Sequence, residues 1–179
     1  MDMVLNHTSH LHPWFIESSS SKDNPKRNWY IWHDPVNGKY PNNWKSAYLT
    51  SAWEFHQPTG QYYLHSFLKE QPDLNWHNPE VKEAMFNVMR YWLDMGVDGF
   101  RFDVINYCYK DKKLRNNPFS LNPFDEQTEK YNKNRPESYI LVKEIRQLLD
   151  SYQNRIAIGE VFCYPPGNPQ LSASYLCNG

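Results

Sequence analysis

Two hydrophobic stretches, residues 97–104 and 155–160, each run out into a loop at a carboxylate, and one helical stretch lies between them. The first is apolar on both alternating faces, as a parallel strand covered on both sides must be. Strand, crossover helix and strand form a βα repeat, whose parallel strands become neighbours with their C-terminal ends at the same edge. In a closed barrel of such units, that edge carries the chemistry. The pattern therefore brings Asp103, which ends Gly99-Phe-Arg101-Phe-Asp103, toward Glu160 in Gly159-Glu160-Val161.

The rest of the chain can be organised around that unit. Asn78-Pro79-Glu80 carries a cap, a first-turn proline and an acid, and opens a helix expected over 79–95. Its apolar stripe is Val81, Met85, Val88, Met89 and Trp92, and Gly96 stops it. Residues 105–135 read as a loop. Pro136-Glu137 starts a second helix, over 136–153, with Ile140, Leu141, Ile145, Leu148 and Leu149 facing a core. Residues 1–7 read as another buried strand, ending in the polar pair Asn6-His7. Between 8 and 78, Pro13, Pro25, Pro35, Pro41, Pro58 and Pro72 interrupt any long helix. Ser51–His56 and Gln61–Phe67 alternate like strands around a turn at 57–60. Residues 8–78 are thus expected to be an irregular, hairpin-bearing insert subdomain, too aromatic to stay unfolded. The expected fold class is α/β, a fragment of a (β/α)8 TIM barrel. A complete barrel takes about 250 residues, so this chain would hold the middle third.

With 179 residues and a formal net charge of −1, the chain has no basic stripe for nucleic acid and no apolar run long enough for a bilayer. Its 7 Trp, 13 Tyr and 9 Phe suit sugar faces as well as cores. Cys108, Cys163 and Cys177 have no metal-ligand spacing and leave an odd thiol, so no disulfide framework is expected and a reducing, cytoplasmic compartment fits. Residues 1–7 do not resemble a signal peptide or a natural start.

Four motifs carry a resemblance. Asp2-Met-Val-Leu-Asn6-His7 resembles the first signature of the α-amylase superfamily, glycoside hydrolase family 13. Gly99–Asp103 is similar to the second and Gly159–Val161 to the third. Gln71-Pro-Asp-Leu-Asn75 resembles the auxiliary motif of the oligo-1,6-glucosidase and α-glucosidase branch. They stand in the family's order, which makes the barrel strands roughly the third to the fifth. The resemblance implies Asp103 as nucleophile and Glu160 as general acid/base of a retaining glycosidase, with carboxylates about 5–5.5 Å apart. It implies Arg101 as the group that keeps Asp103 ionised, His7 as a ligand of the sugar hydroxymethyl, and Asp2 as a supporting or sugar-touching residue. Asn6, a calcium ligand in many true amylases, is expected here to be a hydrogen-bonding brace. No metal or cofactor is expected within this chain; a calcium loop would lie upstream.

The resemblance implies an exo-acting α-glucosidase for short oligosaccharide or disaccharide substrates. Val104 is the residue of α-1,6-preferring members. By contrast, Asp111–Pro118 and Tyr131–Glu137 resemble loops of enzymes that cleave short α-1,4 linkages, so linkage stays open. A transglycosylating relative of the sucrose isomerase type, and a non-catalytic amylase-like ectodomain of a transporter heavy chain, are the alternatives. The ectodomain has no need of Arg101, Asp103 and Glu160 together. The family's fourth signature, a His-Asp pair, is expected beyond this sequence, and the 179 residues alone are expected to be inactive.

Overall fold

The computed structural model describes residues 1–122, 125–162 and 169–177. In chain order its elements are β1 (Asp2–Val4), α1 (Pro13–Ser20), β2 (Trp32–His33), β3 (Trp53–His56), β4 (Gln61–Leu64), α2 (Pro79–Asp94), β5 (Gly99–Asp103), β6 (Phe119–Asn122), β7 (Asp125–Gln127), α3 (Pro136–Asp150), β8 (Ile156–Gly159) and α4 (Pro169–Cys177). Single 3-10 turns occupy Arg27–Trp29 and Ile105–Tyr107.

β1, β5 and β8 form a parallel sheet with β5 in the middle. Asp2 pairs with Arg101 and Val4 with Asp103, while Arg101 pairs with Ile158. Because side chains alternate along a strand, Asp2, Val4, Arg101, Asp103, Ile156 and Ile158 share one face. Met3, Phe100 and Phe102 point to the other, where α2 and α3 lie. Val81, Met85, Met89, Leu93, Leu141, Ile145 and Leu149 close that side and are all buried. Each such side chain stabilises by about 1.5–3 kcal/mol on burial. Gly99 is required by the pairing: a Cβ there would lie 2.0 Å from the carbonyl oxygen of Ile156.

Both helices begin at the expected proline. The Asn78 side chain accepts from Glu80 N–H, and a left-handed Gly96 (φ 92°) follows the end of α2. Val88, Trp92 and Leu148 lie partly buried against the core, but Ile140 is exposed, and its place on the buried stripe of α3 is taken by Ser138. The first strand is shorter than 1–7. After Val4 the chain leaves the sheet, and Leu5 and Asn6 carbonyls accept from Trp76 Nε1 and Leu74 N–H instead.

Residues 8–78 hold the expected hairpin, β3 and β4, with Phe55 paired to Tyr62 and Gly60 (φ 65°) in the turn. β2 completes an antiparallel sheet in the order β2-β4-β3, and Trp44, Ala52, Trp53 and Leu64 form a small core of their own. Helix α1 is an addition to the expectation. Its proline sits in the first turn, where no N–H is missed, and His12 Nδ1 accepts from Trp14 N–H as a cap. Eight residues ending in three serines are too few to show helical periodicity. The expected loop 105–135 likewise contains a 3-10 turn and the hairpin β6-β7.

Candidate active site

The C-terminal edge of the parallel sheet gathers charge. Arg101 projects from β5 on the open face, two residues before Asp103 and across from Asp2. Its Nη1 donates to Asp2 Oδ1 at 3.0 Å and to Asp103 Oδ1 at 3.3 Å, while Nη2 lies 2.9 Å from Glu160 Oε2. One guanidinium therefore spans both proposed catalytic carboxylates and a third acid. The bond to Asp2 is the largest cause of a raised Arg101 pKa, with the Glu160 charge next, so the cation persists at any working pH. The Asp103 and Glu160 side chains are 27 % and 39 % exposed, within reach of a ligand.

Glu160 is held by its backbone as well. Its N–H donates to Phe102 O at 2.9 Å, continuing the β5–β8 ladder, and its carbonyl accepts from Ile105 N–H at 3.1 Å. Val104, between Asp103 and that turn, is left-handed (φ 38°, ψ 47°) with its side chain buried. A β-branched residue in that region is an outlier costing roughly 1–3 kcal/mol. The turn it makes aims the Val104 N–H at Glu160 Oε2, 3.4 Å away.

His7 lies beyond the end of β1, half-buried. Leu68 N–H donates to Gln71 Oε1, which leaves the Gln71 amide NH2 facing His7 Nε2 at 3.1 Å. The Phe67 ring packs 5.4 Å from the imidazole. Burial lowers the His7 pKa and the Lys110 charge adds to this, against Asp73 and Asp103, so the ring is held neutral. Phe67 continues to Tyr107 and Tyr107 to Phe162, an aromatic line along this edge.

Beneath His7 is a second ionic cluster, which the sequence reading did not single out. Lys110 and Asp73 are 2 % and 0 % exposed and their charged atoms lie 2.7 Å apart. Lys110 Nζ donates to Asn6 Oδ1 at 2.6 Å and to the Tyr107 carbonyl. Asp73 also accepts from Asn6 Nδ2 at 2.9 Å and from the Ser66 N–H and hydroxyl. Asp73 stands in the Gln71–Asn75 motif, whereas Lys110 opens the run Lys110-Asp-Lys-Lys113, where nothing in the spacing sets it apart from its neighbours. An ammonium thus occupies the oxygen-lined place a hard cation would need. These residues do not fit a calcium ion, and Asn6 is a brace. Among the described residues no group of three or more His, Cys, Asp or Glu is placed to hold a metal.

Cys108 is a buried free thiol, its pKa pushed up to about 12 by burial. Cys163 lies outside the described residues, as does the side chain of Cys177. An apolar cavity of about 310 Å³ lined by Phe102, Ile145, Val161 and Tyr175 opens on the helix side of the sheet, away from the carboxylates. No helix among the described residues is long and apolar enough to cross a membrane.

Residues 1–173 match the family model of the alpha amylase catalytic domain. The chain belongs to this family. Among its relatives, this alpha-amylase-family chain is 47% identical over 174 residues to a probable alpha-glucosidase of Rhizobium meliloti, covering 90% of this chain and 32% of that protein. It is 47% identical over 160 residues to an oligo-1,6-glucosidase of Parageobacillus thermoglucosidasius, with 89% and 28% covered. A crystal structure of an alpha-glucosyl transfer enzyme superposes with a TM-score of 0.86 at 44% identity, over 90% of this chain and 32% of that one. An isomaltulose synthase of Erwinia rhapontici gives 0.81 at 41% identity, over 90% and 28%. The chain spans about a third of the length of the curated relatives it matches. The neighbours' architecture makes the three-stranded parallel sheet a section of a (β/α)8 barrel.

Proposed function

We propose that the enzyme containing this segment is a retaining, exo-acting α-glucosidase that removes glucose from short α-linked oligosaccharides or disaccharides. The observation that carries this reading is the single Arg101 guanidinium bridging Asp103 and Glu160. Asp103, charged beside Arg101, attacks the anomeric carbon as Glu160 gives its proton to the departing glycosidic oxygen. The glucose is then esterified to Asp103, and Glu160, now a base, takes a proton from the water that releases it. Arg101 keeps both acids aimed at one small region and stabilises the ionised nucleophile. Asp2, on the same guanidinium, supports that aim. His7, neutral and shared with Gln71, is the proposed contact for the sugar hydroxymethyl, and the Val104 side chain is proposed to narrow the leaving-group side. Phe67 and Gln71, from the insert, stand against His7 and favour a walled pocket over an open cleft.

Proton NMR of the intact enzyme acting on maltose and isomaltose tests this reading. The first glucose released should be the α-anomer; initial release of the β-anomer would reject the mechanism. The glucosyl-transfer and isomaltulose-synthase neighbours favour one second reading, transfer of the glucosyl group to a sugar hydroxyl instead of water. Isomeric disaccharides formed from sucrose would select it.

We also propose that no metal is needed at Asn6 and Asp73, because Lys110 supplies the cation there; a structure of the intact enzyme grown in calcium is expected to show no ion between them. A cytoplasmic location is proposed on the odd, unpatterned cysteines, and cell fractionation checks it.

A further inference from the structure

We propose that Asn106 is a positioning residue for the acid/base Glu160. This rests on the reading of Glu160 given above. The β5–β8 ladder ends at Phe102 and Gly159, and after the Glu160 N–H has bonded to Phe102 O the left-handed Val104 carries the first chain away. On the β5 side, residue 162 then has no strand residue to pair with. The Asn106 carboxamide takes that place. Its Nδ2 donates to Phe162 O at 2.8 Å and its Oδ1 accepts from Phe162 N–H at 3.2 Å. A carboxamide offers a donor and an acceptor side by side, as a peptide group does, so one side chain substitutes for a missing strand residue.

The amide cannot turn over. Asn106 is completely buried, its Nδ2 also donates to Asn134 Oδ1 at 3.0 Å, and Asn134 N–H donates to the Asn106 carbonyl at 2.8 Å. The segment 160–162 is therefore sewn to 102–106 on both sides of the Glu160 side chain: by Phe102 and Ile105 at its own peptide groups, and by Asn106 two residues on. Strain such as that at Val104 persists only where the surroundings over-determine it. Asn106, two residues further along the same turn, supplies that constraint. Its position matters because the Val104 N–H and Arg101 Nη2 meet the same oxygen of Glu160 only while the two segments stay in register.

A leaving-group comparison on the intact enzyme separates positioning from mere support. Methyl α-glucoside needs its leaving oxygen protonated, whereas α-glucosyl fluoride expels fluoride with little proton assistance. The ratio of the two kcat/KM values in one preparation does not depend on how much of it is folded. Asn106→Leu, of similar size but unable to pair with Phe162, should lower kcat/KM on the methyl glucoside about tenfold more than on the fluoride. Asn134→Gly, which suits the left-handed backbone there (φ 53°) and removes the outer brace together with the bond its Oδ1 accepts from the Tyr175 hydroxyl, should lower it in the same sense by less. Glu160→Gln is the control and should show the largest leaving-group dependence, about a hundredfold or more. Equal losses on both substrates in both variants, with the control behaving as expected, would overturn the role of Asn106. If Asn106→Leu gives no soluble enzyme, Asn134→Gly alone decides. A control without leaving-group dependence would instead overturn the acid role of Glu160, and this proposal with it.

Discussion

Two cations in this molecule, one gathering three carboxylates and one holding a single carboxylate, differ completely in their surroundings. The Arg101 side chain is 42 % exposed and bridges Asp2, Asp103 and Glu160 at the open edge of the sheet. Lys110 is 2 % exposed and locked onto Asp73 with Asn6, Ser66 and the Tyr107 carbonyl. Within this segment the Arg101 pairs touch water and add little stability, and two of their acids, Asp103 and Glu160, are the proposed catalytic pair. A buried pair is different: its partners have no water to fall back on, and removing one leaves the other stranded. The first cluster is the proposed reaction centre and the second braces the framework beneath it.

Mutations should separate the two. Asp103→Asn in the intact enzyme is expected to lower kcat by at least about a thousandfold while shifting the urea midpoint less than Lys110→Met does, read by steady-state kinetics and urea denaturation. Lys110→Met should do the reverse. The stranded Asp73 would destabilise the fold by about 3–5 kcal/mol, and activity should return at temperatures where the variant is folded. A Lys110 variant with wild-type stability would remove the contrast.

Smaller effects sharpen it. Gly99→Ala must push β8 away from β5, because its Cβ would meet the Ile156 carbonyl oxygen at 2.0 Å. A loss of about 1–3 kcal/mol is expected, with kcat reduced because Arg101 lies on one of the strands being separated and Glu160 directly follows the other. The pH dependence concerns His7. Burial depresses its folded-state pKa below 6.5, so below pH 6.5 the unfolded chain binds the proton more readily than the folded one. Its contribution to stability is complete above pH 6.5 and is lost as pH falls from 6.5 through the depressed value, at up to about 1.4 kcal/mol per pH unit. His7→Gln should flatten that part of the stability curve; His12 and His56, also lowered by burial, keep a residual slope.

The contrast also shows what could be read from the sequence. Asp103 and Glu160 were legible because each ends an apolar strand and a single helix lies between them, which leaves parallel pairing as the simple outcome. The starts of α2 and α3 were legible from Asn78-Pro79 and Pro136. Lys110 was not, since its partners Asp73 and Asn6 are brought to it only by the fold and a polar loop conceals it. Asn106 was hidden for the same reason: its role depends on where Phe162 passes. Helix α1 escaped because eight residues with a serine run hold too little pattern. The early end of β1 depends on Trp76 and Leu74 capturing the next carbonyls, a long-range event with no local mark.

The central claim, that Asp103 bonds to the sugar while Glu160 moves the proton, is tested most directly by trapping. The intact enzyme is incubated with a 5-fluoro-α-glucosyl fluoride, whose ester hydrolyses slowly, then digested with a protease and sequenced by mass spectrometry. One 5-fluoroglucosyl adduct is expected, on Asp103 in a peptide containing Gly99–Asp103, accumulating further in Glu160→Gln. A label on any other residue, or inactivation with Asp103 unmodified, would contradict it.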